Sequence, residues 1–412
     1  MNTLITHIDR LVNVRTDSPL LRGEALSELP VLEQAFLYIR DDRIADYGPM
    51  QEIERLAPEP RETISGAGSS IFPCWCDSHT HLVFAASREE EFVDKIKGLS
   101  YAEIAARGGG ILHSARKLQE TPEHVLFDQA WNRLQELMLL GTGAVEIKSG
   151  YGLTVDAELK MLRVIAALKK QAPIPIKATF LGAHAYPPVY KNDHAGYLEM
   201  LENQLLPLIK KEALADYIDV FCEQGFFSPE ETDRICKAGI AMGLRPRIHT
   251  NQFSLSGGVA VGVQNNAISV DHLECMDQSA MDVLAHADTM GTLLPTAAFF
   301  LRLPMPSARE MIQKGCALAL ASDYNPGSSP GGNMHLVISM ACIQMRMLPE
   351  EAINAATLNG AHAMELGDEL GSITIGKKAN LIFTKPIPSV AYLPYAIGSS
   401  LIKKVMINGE FI

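Results

Sequence analysis

No run in this 412-residue chain approaches the ~18–20 uninterrupted apolar residues that a membrane-spanning helix needs. The richest stretch, Thr289 to Leu303, is broken by Pro295, Thr296 and Arg302. The first ten residues carry His7, Asp9 and Arg10 where a secretory signal would have its apolar core. Basic charge is also short. Lys and Arg number 36 against 48 Asp and Glu, a net −12, which argues against a nucleic-acid backbone or an anionic membrane as the main partner. Cysteines are few and odd in number. The seven of them are scattered through apolar segments, as expected of reduced thiols in a cytoplasmic protein rather than a disulfide framework. Missing too are internal repeats and low-complexity tracts. Gly141-Thr142-Gly143 does not continue into a dinucleotide-binding GxGxxG. Neither GxSxG nor a Ser-His-Asp arrangement occurs, so a hydrolytic nucleophile should be water.

The ends of the chain are β-rich. Leu4–Val14 and Ala35–Asp46 are extended runs separated by polar turns, including the Asp41-Asp42 tip. Gly371–Phe383 and Leu401–Ile412 have the same texture, with strand-like Asn380–Thr384 and Lys404–Asn408 and a turn near Asn408-Gly409. Neither end has enough apolar surface to stand alone. Residues 1–66 and 366–412 are therefore expected to combine into one small β-sandwich. Residues 67–365 have another rhythm. Short apolar or β-branched runs recur at Ile71–Cys76, Gly143–Lys148, Ile176–Leu181, Tyr217–Cys222, Arg245–Thr250, Ala267–His272, Thr289–Leu294 and Cys316–Ser322. Amphipathic segments such as Asp156–Lys170, Ala195–Glu212 and Pro229–Met242 lie between them. Eight strands alternating with helices predict an α/β fold, a (β/α)8 TIM-like barrel. Its long first gap, Leu82 to Leu140, holds a Gly108-Gly109-Gly110 loop.

Active sites of such barrels lie at the C-terminal ends of the strands. Those positions hold Asp77-Ser78-His79-Thr80-His81, then His184, Glu223, His249, Asp271-His272 and Asp323. In a strand, residues i and i+2 point to one face, so His79 and His81 can converge on one ion. Imidazoles with a carboxylate are a common donor set for Zn or Fe. The Glu89–Glu91 run reads as a solvated face.

Longer strings carry a resemblance. DSHTHLVFAASREEEF (77–92), VEIKSGYGL (145–153), FLGAHAYPP (180–188), DVFCEQGFF (219–227), VDHLE (270–274) and SDYNPGSSP (322–330) resemble the imidazolonepropionases of histidine degradation. That family belongs to the amidohydrolase superfamily of metal-dependent hydrolases, and the likeness spans the barrel and both terminal segments. It implies hydrolysis of the cyclic amide C–N bond of 4-imidazolone-5-propionate to N-formimino-L-glutamate by a metal-activated water. It also implies a homodimer with a small-molecule substrate.

The resemblance implies one Zn or Fe ion per chain on His79, His81, His249 and Asp323. It puts His272 at the general-base position, with Asp323 as a second proton carrier; how the two divide that labour stays open. Arg88 matches a substrate-binding arginine whose planar fork suits a carboxylate. Tyr151, His184, Asn325, Gly327 and Ser328 match substrate contacts. Gln252 stands where some members carry glutamate; it cannot act as a base, so it is assigned to binding. Lys148 is expected to be an unmodified lysine rather than a carboxylated bridge between two metals. Glu223 is expected behind the ligands. The nearest alternative is an aminohydrolase of the same barrel, against which Arg88 argues, since a neutral nucleobase needs no guanidinium. A binding or scaffold barrel would have no need of an intact ligand set.

Overall fold

The computed structural model describes residues 2–56, 62–99, 103 and 109–412. Gly108 of the glycine loop lies outside the described residues. Eight parallel strands form one sheet in sequential order: Trp75–Thr80, Thr142–Lys148, Ile176–Ala183, Tyr217–Cys222, Arg245–Thr250, Ser269–His272, Met290–Leu293 and Leu318–Leu320. Its edges meet. Thr80 bridges Tyr324 in parallel, Asp323 N donates to His79 O (3.0 Å) and His81 N to Tyr324 O (2.9 Å). The expected barrel is therefore present, and its seam joins the strand end that carries the HxH pair to the loop that carries Asp323.

The first barrel strand differs from the sequence expectation. The apolar run Ile71–Cys76 straddles two sheets: Ser70–Pro73 pairs in the terminal sheet, and only from Trp75 does the chain enter the barrel. The polar residues Asp77, Ser78 and His79 lie within the strand rather than after it. Burial of a polar group is tolerable where it is bonded, as the Asp77 carboxylate and His79 Nδ1 are. Asp77, for example, takes Ser322 N (3.0 Å) and Ser322 Oγ (2.5 Å).

The helices follow the amphipathic segments. Val155–Gln171 starts at Thr154, whose side chain accepts from Ala157 N. Pro229–Ala241 opens with a capping box between Ser228 and Glu231. The segment read as a single helix from Ala195 to Glu212 contains a π-helical turn, Leu201–Leu205, just before Pro207, which has no N–H to donate. Helices Glu89–Ile96, Ile111–Glu120 and Glu123–Leu139 lie in the long first gap.

Both chain ends supply the second sheet, also of eight strands, in which Asn2–Val12 is central. That strand pairs Val31–Arg40 along its length, Glu62–Ser65 over its first half and Ser70–Pro73 near its end, with a register shift between Ile5 and Ile8. The last two strands, Ile402–Ile407 and Glu410–Phe411, turn at Asn408 (φ 52°) and Gly409 (φ 80°), the left-handed pair that a tight hairpin prefers. One apolar cluster, including Ile8, Leu37, Ile71, Leu381 and Met406, binds the two ends together. Each such side chain contributes roughly 1.5–3 kcal/mol by leaving water. No helix among the described residues is long and apolar enough to cross a membrane.

Candidate metal centre and active site

Three imidazoles converge at the C-terminal mouth of the barrel. Ligand-capable atoms of His79, His81 and His249 lie within 4.8 Å of one another, all three residues buried. Asp323 Oδ1 stands 3.6 Å from His79 Nε2 and 3.5 Å from His81 Nε2. Two ligand tautomers are set from below. His79 Nδ1 donates to Asp271 Oδ2 (2.7 Å), and His249 Nδ1 lies 2.9 Å from Asp219 Oδ2. His79 Nε2 is thereby left as a bare lone pair, and the carboxylate beside His249 Nδ1 favours the same tautomer there. The Nε2 atoms of His81 and His249 face each other at 3.4 Å, while His79 Nε2 and Asp323 Oδ1 have no hydrogen-bond partner. Buried lone pairs aimed at one another, with a carboxylate beside them, fit a divalent metal. Burial is the first cause that holds His79 and His81 well below the usual imidazole range, so all three present neutral nitrogen.

Below the ligands lies a closed charge network. Lys148 Nζ bonds Asp219 Oδ2 (2.8 Å) and Glu146 Oε1 (3.0 Å) and stands 3.9 Å from Asp271 Oδ2; all four side chains are sealed from solvent. Arg247 adds a contact to Asp271 Oδ2 (3.3 Å) and donates to the carbonyls of Ser78 and Ala363. Burial alone would lower the Lys148 pKa, but Asp219 and Glu146 outweigh it and hold it above the ordinary value. Lys148 here is an ammonium among carboxylates, the environment least suited to carboxylation. Asp219 escaped the sequence reading. Its signal was a lone carboxylate inside the apolar strand YIDVFC, which must find a partner when buried.

Above the ligands opens a cavity of about 580 Å³. It is lined by His81, Arg88, Tyr151, His184, His249, Gln252, His272, Asp323, Asn325, Gly327 and Ser328, so of the expected site residues only His79 lies beneath its floor. His184 Nδ1 donates to Gly150 O (3.1 Å), and burial first, then His249, pushes it down to about 3. It is a neutral imidazole with Nε2 free to accept. It stacks on His81 at 5.4 Å and 20°, with Tyr151 5.6 Å away. Burial raises the Tyr151 hydroxyl, so it stays a neutral donor. His272 and Asp323 both adopt left-handed backbone, φ 88° and 51°, conformations that cost free energy for residues with a β-carbon and collect at functional sites.

The loops that present these groups are tied by buried side chains. Glu158 accepts from the N–H groups of Gly150 (3.1 Å), Gly152 (2.6 Å) and Leu153 (3.1 Å), which bracket Tyr151. Glu223 accepts from Gln252 N and Phe253 N, each 3.0 Å, and from the Ser254 hydroxyl. Its oxygens hold the loop of Gln252. Asn325 uses its side chain within its own turn. Oδ1 accepts from Gly327 N and Ser328 N, both at 2.8 Å, and Nδ2 donates to Asp323 O and Ser328 Oγ.

Arg88 precedes helix Glu89–Ile96 and reaches the pocket with Nη2 on Glu91 Oε2 at 2.5 Å. Glu91 also accepts from Gly110 N (2.9 Å). It therefore does not belong to a solvated face, as the charge run suggested; helical periodicity turns it inward while Glu89 and Glu90 remain outside. Lys95, one turn on, was not singled out from the sequence. Its Nζ donates to Gly327 O (3.3 Å) and gives the cavity a second cation.

Comparison with known proteins agrees with this geometry. Residues 252–412 match the amidohydrolase family model. Over 100% of both chains, the sequence is 55% identical to the imidazolonepropionase of Flavobacterium johnsoniae. It is 52% identical, again over 100% of both, to that of Christiangramia forsetii. Among solved structures it is similar to a zinc-bound adenosine deaminase from Xanthomonas campestris (TM-score 0.72, 17% identity, 99% of this chain and 92% of that one). A guanine deaminase from E. coli gives TM-score 0.71 at 15% identity, over 100% of this chain and 99% of the other. At those identities the likeness is one of fold.

Proposed function

The chain belongs to the imidazolonepropionase family of the amidohydrolases, and on that premise we propose how its pocket works on 4-imidazolone-5-propionate. The reaction is hydrolysis of the ring C–N bond to N-formimino-L-glutamate, the third step of histidine degradation. The observation that carries the reading is the meeting of the His79, His81 and His249 cluster, with Asp323 beside it, and a cavity above it that holds two cations.

His79, His81, His249 and Asp323 would hold one Zn or Fe ion per chain. When bound, such an ion polarises a carbonyl and acidifies a water. Arg88, with Lys95 beside it, takes the propionate carboxylate. Tyr151 donates to the ring and His184 Nε2 accepts from a ring N–H. Gln252 donates to the imidazolone oxygen. His272 Nε2 accepts the proton as water adds to the ring carbonyl carbon. The same proton passes to the ring nitrogen as the C–N bond breaks, and the added oxygen stays in the new carboxylate. Asp323, besides its place in the donor set, takes the water's second proton from the new carboxyl group and releases it to solvent, which leaves the product carboxylate ionised. The same premise carries a cytoplasmic homodimer without nucleic-acid or membrane partners.

The test is incubation with freshly prepared imidazolone propionate, following loss of its ultraviolet absorbance and appearance of formiminoglutamate. His272→Ala should keep its metal and lose ~10²–10⁴ in kcat, the range of a general base. Turnover of adenosine or guanine in place of the imidazolone would overturn the assignment.

A further inference from the structure

Glu274 is a buried carboxylate with no work in the mechanism above. Its side chain is fully shielded, and neither oxygen has a hydrogen-bond partner. Burying an ionised carboxylate without partners is costly, so such a group invites a functional reading. His272 Nδ1 stands 3.5 Å from Glu274 Oε1, and that nitrogen has no hydrogen-bond partner.

The backbone places the two side chains together. His272 (φ 88°) and Leu273 (φ 67°) are consecutive left-handed residues at the end of the sixth barrel strand. This turn is clamped to the neighbouring strand end. Asn251 O accepts from Cys275 N (2.7 Å) and Asn251 Nδ2 donates to Cys275 O (2.7 Å). Glu274 is thus held between a strained histidine and a doubly bonded anchor. Catalytic hydrogen bonds commonly lie long until substrate is bound, so 3.5 Å is within the working range.

We propose that Glu274 is a positioning residue whose carboxylate accepts the Nδ1–H of His272 and so directs Nε2 at the reacting water. The inference rests on His272 being the general base. It is the arrangement by which a carboxylate fixes the tautomer and aim of a catalytic imidazole.

The experiment is a double-mutant cycle on the metal-loaded enzyme, with metal content and melting temperature measured for every variant. Glu274→Leu should lower kcat by roughly 10–100-fold, the range for a lost outer partner, with KM and metal content unchanged. Glu274→Gln, which keeps an acceptor oxygen, should recover part of the loss. In a His272→Ala background, Glu274→Leu should have no further effect, because the two act as one unit. An undiminished loss in that background overturns the proposal, as does a loss of metal or a raised KM in place of the kcat effect. Normal turnover by His272→Ala alone overturns the general-base reading itself. An inactive His272→Ala beside a fully active Glu274→Leu overturns only the role of Glu274.

Discussion

Arg88 Nη1 occupies the space that a β-carbon on residue 327 would need. A guanidinium from the loop after the first barrel strand is therefore seated against bare backbone in the loop after the last. Gly327→Ala should displace Arg88 and weaken the carboxylate contact by about 1.5–3 kcal/mol, that of a hydrogen bond to a charged group. Steady-state kinetics should show KM rising by about tenfold or more, with little change in melting temperature. An analogue lacking the propionate carboxylate should be indifferent to the substitution; equal losses on both substrates would remove the clamp from the account.

Lys148 is the only cation that touches Glu146, Asp219 and Asp271 together among the described ion pairs. Lys148→Met would leave Glu146 and Asp219 without their cation, with only Asp271 still touched by Arg247, and removal of one partner from a buried pair costs roughly 3–5 kcal/mol. Chemical denaturation should show that loss, and metal titration should show weaker binding, since Asp219 and Asp271 orient His249 and His79. A variant of full stability and metal content would show that the carboxylates need no counter-charge.

Stripping the metal with a chelator should abolish turnover and lower the melting temperature. An ion present at about 100 times its Kd stabilises a native protein by about 2.7 kcal/mol, and that share disappears on removal. Elemental analysis of the loaded enzyme should find about one Zn or Fe per chain. A stoichiometry of two would contradict an ammonium at Lys148.

Lys377 offers a pH test remote from the pocket. Burial, opposed by Cys76 and Asp368, brings its pKa down to about 8 from 10.5, while Nζ donates to Leu370 O and Ser372 Oγ. Between those values the unfolded chain binds more protons than the folded one, so this group's contribution to stability rises with pH through that window. Below about 8 the buried charge is a constant penalty. Denaturation midpoints of the parent and Lys377→Met, compared across pH 7–11, should converge or cross as pH rises. Parallel curves would mean that Lys377 titrates alike in both states.

Much of the site was legible because a strand has period two. His79-x-His81 identified itself, and His249, His272 and Asp323 stand at corresponding strand ends. What escaped notice were charges whose meaning depends on a partner far along the chain. Glu158 looks like an ordinary acid near a helix N-terminus, yet it holds the turn of Tyr151. Glu91 looks like one of three exposed glutamates. The first strand was misplaced because apolar content continues from Ile71 to Cys76 across two sheets, while the strand itself runs on through Asp77 and His79. Local hydrophobicity does not record pairing.

The barrel seam has a consequence for how the enzyme is made. Asp77 and Ser322, joined across it, lie 245 residues apart, and Asp323 follows directly. A nascent chain therefore displays both histidines of the HxH pair long before its aspartate leaves the ribosome. Contacts of such sequence separation form late and slowly. The proposed donor set is therefore complete only once the last barrel strand has come off the ribosome and closed against the first.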